Sequence, residues 1–157
     1  MAAFEIYARH GDWDFMTGRL TGDGIVQVEG LALKIDGYLK DASAASVAVL
    51  SGQAQRTQES AGIIARKLGL SVEVTHFLGD VTGRATAVDW MVEGLSGLFA
   101  SYEAVVCVTH GQQSEALARK ARNELFGVRK GPDIYELSPG GAYFINTGGV
   151  IFRDSDE

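Results

Sequence analysis

The sequence predicts an α/β fold: a three-layer sandwich with a mostly parallel central sheet and helices on both faces. Two observations carry this. Short apolar runs alternate with longer stretches of helical periodicity along most of the chain. One of the runs, residues 46–50, is apolar without alternation, as expected of a strand covered on both faces.

In chain order, residues 3–8 alternate in polarity and predict a first strand. Residues 11–19 form a polar, aromatic-dotted loop. Thr21 is a candidate N-cap for a helix reaching Leu39, with Val28, Leu31, Ile35 and Tyr38 on its apolar face. Strand two spans 46–50. A helix over 53–68 turns Thr57, Ala61, Ile64 and Leu68 to one side and stops at Gly69. Strand three covers 71–75, and 79–84 is a loop. The helix over 85–100 carries Val88, Met91, Leu95 and Phe99 inward. Strand four, 104–108, ends at His110-Gly111. The helix over 113–126 buries Leu117, Ala121 and Leu125, and Gly127 stops it. Residues 134–137, a Ser-Pro-Gly-Gly turn at 138–141 and residues 142–145 read as a hairpin, which 150–152 extends. No internal repeat or linker interrupts the pattern, so residues 1–157 are expected to form a single domain.

Composition narrows the function classes. The chain has 157 residues, 46% hydrophobic and 22% charged, which is ample for a packed core. A net charge of -6 argues against nucleic acid as the main partner, but not against a small anion at a local site. The single cysteine, Cys107, sits in an apolar strand and reads as a core residue. No Cys cluster suggests a metal, and no stretch resembles a signal peptide or a membrane span. A cytoplasmic protein is expected.

In a parallel sheet, ligands bind at the carboxyl ends of the strands. Strand one ends in Arg9-His10-Gly11. Strand two ends in Ser51-Gly52 and leads to Arg56, and strand four ends in His110-Gly111. Two of the three histidines therefore share one edge with two arginines. The starts of two helices aim backbone N–H groups at the same edge, which favours an anion. Guanidinium forks match phosphate geometry. A histidine among arginines is held neutral and can attack. A second imidazole can stabilise developing charge. Arginines neutralise the phosphate, so neither metal nor cofactor is expected.

These motifs resemble the histidine phosphatase superfamily, in its phosphoglycerate mutase-like branch. Ile6-Tyr7-Ala8-Arg9-His10-Gly11 is similar to the family's strand and Arg-His-Gly signature. Leu20-Thr21 with Gly24 and Gln27 is similar to the opening of its first helix. Ser51 with Arg56 and Glu59-Ser60-Ala61, then Val108-Thr109-His110-Gly111, resemble the next two motifs in order. Asn146-Thr147-Gly148 resembles the closing asparagine segment. Gly52-Gln53 departs from the family's frequent Ser-Pro.

The resemblance implies a phosphoglycerate mutase-like fold, with His10 as the nucleophile that becomes phosphorylated. Arg9, Arg56 and His110 bind the phosphoryl group, with Gly111 beside them. Asp80 is marked as proton donor, although the family more often has Glu there, and Asp12 is the fallback. The chain is too short for a substantial lid. The expected activity is therefore hydrolysis of a phosphomonoester or a phosphoprotein. A phosphate-binding or scaffold role is the competing reading, and a phosphomutase ranks third. Oligomeric state is not legible. His76 reads as a loop residue, Trp90 as packing, and Trp13 and Phe15 as pocket walls or loop packing.

Overall fold

The computed structural model describes residues 2–79, 87–128 and 130–154. Among them, six strands form one sheet in the order β3-β2-β4-β1-β5-β6. The strands are β1 (Phe4–Arg9), β2 (Val47–Ser51), β3 (Val72–Val74), β4 (Ala104–Thr109), β5 (Ala142–Asn146) and β6 (Val150–Asp154). The helices are α1 (Gly22–Asp41), α2 (Gln55–Leu68), α3 (Ala87–Ser101) and α4 (Gly111–Phe126). β3, β2, β4 and β1 run parallel, whereas β5 pairs antiparallel with β1 and β6 antiparallel with β5. This is the predicted α/β sandwich with a mostly parallel sheet.

The two faces of the sheet have separate cores. Ile6, Ala8, Val49, Val106 and Val108 pack against Val28, Leu31 and Ile35 of α1 and Ala61 and Ile64 of α2. Tyr7, Leu50, Val105 and Cys107 pack against Met91, Leu95 and Phe99 of α3 and Leu117 and Ala121 of α4. Period-two alternation along β1 explains the division. β4 is buried along its whole length, because it lies inside the sheet with helices over both faces.

Thr21 caps α1 by accepting from the Gly24 amide at 3.0 Å. Gly69 takes the left-handed conformation that ends α2. α4 begins two residues earlier than the periodicity suggests, at Gly111 with His110 as N-cap. Strand β4 and helix α4 therefore meet directly at the histidine.

The tail differs from its sequence reading. Residues 134–137 form no strand; β5 pairs with β1 on one side and β6 on the other. The buried Tyr143 hydroxyl explains this. It accepts from the Tyr135 amide at 2.6 Å and donates to the Tyr135 carbonyl at 2.7 Å, and Arg9 takes the Leu137 carbonyl. Side chains thus satisfy backbone groups that a hairpin ladder would have used. Residues 150–152 do extend the sheet, within β6. His76 starts a single 3-10 turn (His76–Leu78) rather than a loop, and its ring lies 4.2 Å from that of Phe77. Trp90 packs on Phe77 with ring centroids 4.8 Å apart.

Candidate active site

Arg9 is the last residue of β1, and His10 follows it. The backbone of His10 is pinned on both sides: its amide donates to the Thr109 carbonyl at 3.1 Å, and its carbonyl accepts from the Gly140 amide at 3.1 Å. Arg56 lies in the first turn of α2, and His110 joins β4 to α4. Parallel pairing of β1 with β4 and of β4 with β2 brings all four residues to one sheet edge.

The imidazoles of His10 and His110 meet edge to face, with centroids 5.3 Å apart. Both residues are buried, at 4% and 8% exposure. His10 Nδ1 lies 2.8 Å from the Gly11 carbonyl oxygen. A carbonyl only accepts, so Nδ1 carries the hydrogen and Nε2 holds the lone pair. Burial pushes the His10 pKa down to about 4. The charges of His110, Arg56 and Arg9 act in the same direction, and the Gly11 hydrogen bond opposes them. His10 is therefore a neutral imidazole at neutral pH, with a nucleophilic Nε2.

Arg56 Nη2 approaches His110 Nδ1 at 3.5 Å, and its guanidinium carbon lies over the Trp13 ring, 4.1 Å from the centroid. Trp13 thus packs under an arginine of this edge. Arg9 Nη1 donates to the Leu137 carbonyl at 2.6 Å and lies 3.8 Å from Glu136 Oε1. Arg9 Nε and Arg56 Nε are buried donors without a hydrogen-bond acceptor among the described residues. Two such donors beside uncapped helix starts fit an anion. Among the described residues no His, Cys, Asp and Glu cluster that could hold a metal is present.

Gly111 lets these groups approach. A Cβ there would stand 2.6 Å from Glu136 Oε1 and 3.2 Å from Arg9 Cζ. Gly52, where the resemblance leads one to expect Ser, abuts the Leu78 carbonyl, which would be 2.5 Å from a Cβ. Ser60 bridges two motifs, accepting from the Gly11 amide at 3.2 Å and donating to the Arg56 carbonyl at 2.8 Å.

Asp80 lies outside the described residues. Asp12 is tied to α1: its Oδ2 accepts from Gln27 Nε2 at 2.7 Å, and its amide donates to Gln27 Oε1 at 3.0 Å. The Asn146-Thr147-Gly148 turn is at the wrong end of the sheet for the site. Asn146 pairs with Phe4 at the start of β1, whereas Ala142 pairs with Ala8. Antiparallel pairing of β5 makes its first residue, not its last, the neighbour of Arg9. Residues 136–141 take that place, and sequence reasoning missed Glu136 and the Leu137 carbonyl among them.

No family model and no curated protein matches the chain by sequence. Solved structures do match it. The native mycobacterial glucosyl-3-phosphoglycerate phosphatase superposes with a TM-score of 0.66 at 16% identity, over 99% of this chain and 97% of that one. The same enzyme with inorganic phosphate gives 0.63 at 18% identity, over 99% and 96%. Protein histidine phosphatase SixA complexed with tungstate gives 0.66 at 18% identity, over 96% and 94%. The fold of this chain is that of the phosphoglycerate mutase-like histidine phosphatases.

Proposed function

We propose that the chain is a metal-independent phosphohydrolase that removes a phosphoryl group from a phosphomonoester or phosphoprotein through a phosphohistidine on His10. The observation that carries this is the state of His10: buried, neutral, hydrogen-bonded through Nδ1 to Gly11, and set among Arg9, Arg56 and His110. Nε2 attacks phosphorus. The two guanidiniums bind the non-bridging oxygens. His110, whose Nδ1 lies 3.5 Å from Arg56 Nη2, stabilises the developing charge. The first-turn amides of α2 and α4 add fixed dipoles without reorganisation.

Hydrolysis is favoured over phosphoryl retention because, among the described residues, the connections at this edge are short. β4 passes to α4 through His110 alone, and β2 to α2 through residues 52–54. Short connections of this kind favour transfer of the phosphoryl group to water. The structural neighbours that carry a phosphatase name support the same reading. The cytoplasm is part of this proposal: the one cysteine is a buried free thiol, and no helix among the described residues is long and apolar enough to cross a membrane.

The test is release of inorganic phosphate from para-nitrophenyl phosphate in the presence of a chelator. Wild type turns over and His10→Ala does not. Phosphate binding by both proteins, with turnover by neither, would establish the binding role instead.

A further inference from the structure

Cleavage of a phosphate ester leaves an oxyanion that needs a proton. One carboxylate among the described residues touches the phosphate-binding groups. Glu136 Oε1 lies 3.8 Å from Arg9 Nη1, and only the missing side chain of Gly111 leaves it room, since a Cβ there would be 2.6 Å away. Gly111 is the first residue of α4, so Glu136 lies beside both an arginine and a helix N-terminus. Its backbone is held close by: Arg9 Nη1 grips the next carbonyl, Leu137, and the Gly140 amide grips the His10 carbonyl. The side chain itself is half exposed, at 55%, so it is open to a substrate arriving from solvent. Asp12 is bound to Gln27, and the ion pair of Glu59 is with Arg19, which is not one of the phosphate-binding groups.

We propose that Glu136 is the proton donor to the leaving group. This rests on the phosphohydrolase reading and assigns its acid. A phosphate dianion arriving beside a carboxylate is best accommodated with a proton between the two. The Nε2–P bond of His10 forms as the bond from phosphorus to the leaving oxygen breaks, and that oxygen takes the proton of Glu136. In the second half, water gives a proton to the Glu136 carboxylate as its oxygen bonds phosphorus. The His10–phosphorus bond breaks, and inorganic phosphate and neutral His10 result. Residue 136 is far from the histidine motifs in sequence and reaches the site only because β5 pairs with β1.

The experiment compares kcat/KM for wild type, Glu136→Gln and Asp80→Asn on aryl phosphates running from phenyl to dinitrophenyl leaving groups. An acid matters most where the leaving group is poor. Glu136→Gln should lose about 100-fold on phenyl phosphate and less than about threefold on the dinitrophenyl ester, so its dependence on leaving-group basicity steepens. An equal loss across the series would mean that Glu136 only positions Arg9, and the proposal fails. It fails also if Glu136→Gln gains activity, or if Asp80→Asn steepens the series while Glu136→Gln does not. Failure of the underlying reading shows separately, as wild type releasing no more phosphate than His10→Ala on every ester.

Discussion

The guanidinium of Arg56 rests over the indole of Trp13, 4.1 Å from the ring centroid. Trp13 comes from the loop after β1 and Arg56 from α2, so the contact joins two sides of the site. A cation over an indole face is worth about 1 kcal/mol, and Trp13→Ala should raise KM roughly fivefold. kcat should change little if Arg56 binds the phosphoryl group as proposed, because Trp13 supports that arginine and not the reacting atoms. Steady-state kinetics on para-nitrophenyl phosphate separate the two constants.

Gly111→Ala should impair catalysis and spare the fold. The added methyl meets Glu136 Oε1 and Arg9 Cζ, the far ends of two flexible side chains, so both shift while the backbone stays. Displacing a charged donor from its oxyanion costs about 1.5–3 kcal/mol, or roughly 10- to 100-fold in kcat/KM. Thermal denaturation should show a nearly unchanged Tm. A large fall in Tm would mean that Gly111 is needed for packing and not for the approach of Arg9.

Ser60→Ala should do the reverse. Its hydroxyl is buried and accepts from the Gly11 amide. Without it, a buried donor beside His10 loses its acceptor, at a cost of about 1–3 kcal/mol, or roughly 3–10 °C in Tm. Urea denaturation of wild type and variant gives the difference directly.

Stability should fall on acidification through His10. Its folded pKa is lowered from 6.5 to about 4, chiefly by burial. Between those values the unfolded chain holds the proton and the folded chain does not, so folding loses ground as pH falls through this window. From pH 6.5 to about pH 5 the loss from this group is about 1–2 kcal/mol. It should vanish in His10→Asn, so the measurement is the difference in urea stability between the two proteins at both pH values. An equal pH dependence in the two would contradict the neutral, buried imidazole.

Much of the fold was legible because its signals are local. The apolar run at Val105-Val106-Cys107-Val108 and the stripe of Val28, Leu31 and Ile35 each lie within one element, and both are buried as expected. Arg9, His10, Arg56 and His110 were legible for a related reason: parallel strands place their carboxyl ends together whatever the details of pairing. Contacts set by the antiparallel tail were not. Ile134-Tyr135-Glu136-Leu137 has the alternation of a strand, yet the Tyr143 hydroxyl and the Arg9 guanidinium claim its polar backbone. Asn146 lies at the far end of the sheet because β5 runs against β1, a direction that residue types do not encode. Trp13 could equally have been loop packing; only the approach of α2 makes it the support of Arg56.

The most direct test of the central claim is to find the phosphate on His10. Wild type is mixed with para-nitrophenyl phosphate, quenched in alkali within one turnover, digested and examined by mass spectrometry. The account predicts an alkali-stable, acid-labile phosphate on the peptide carrying Arg9-His10-Gly11, on the Nε2 nitrogen, and none in His10→Ala. Turnover with no phosphoenzyme, or with the phosphate on another residue, would contradict it.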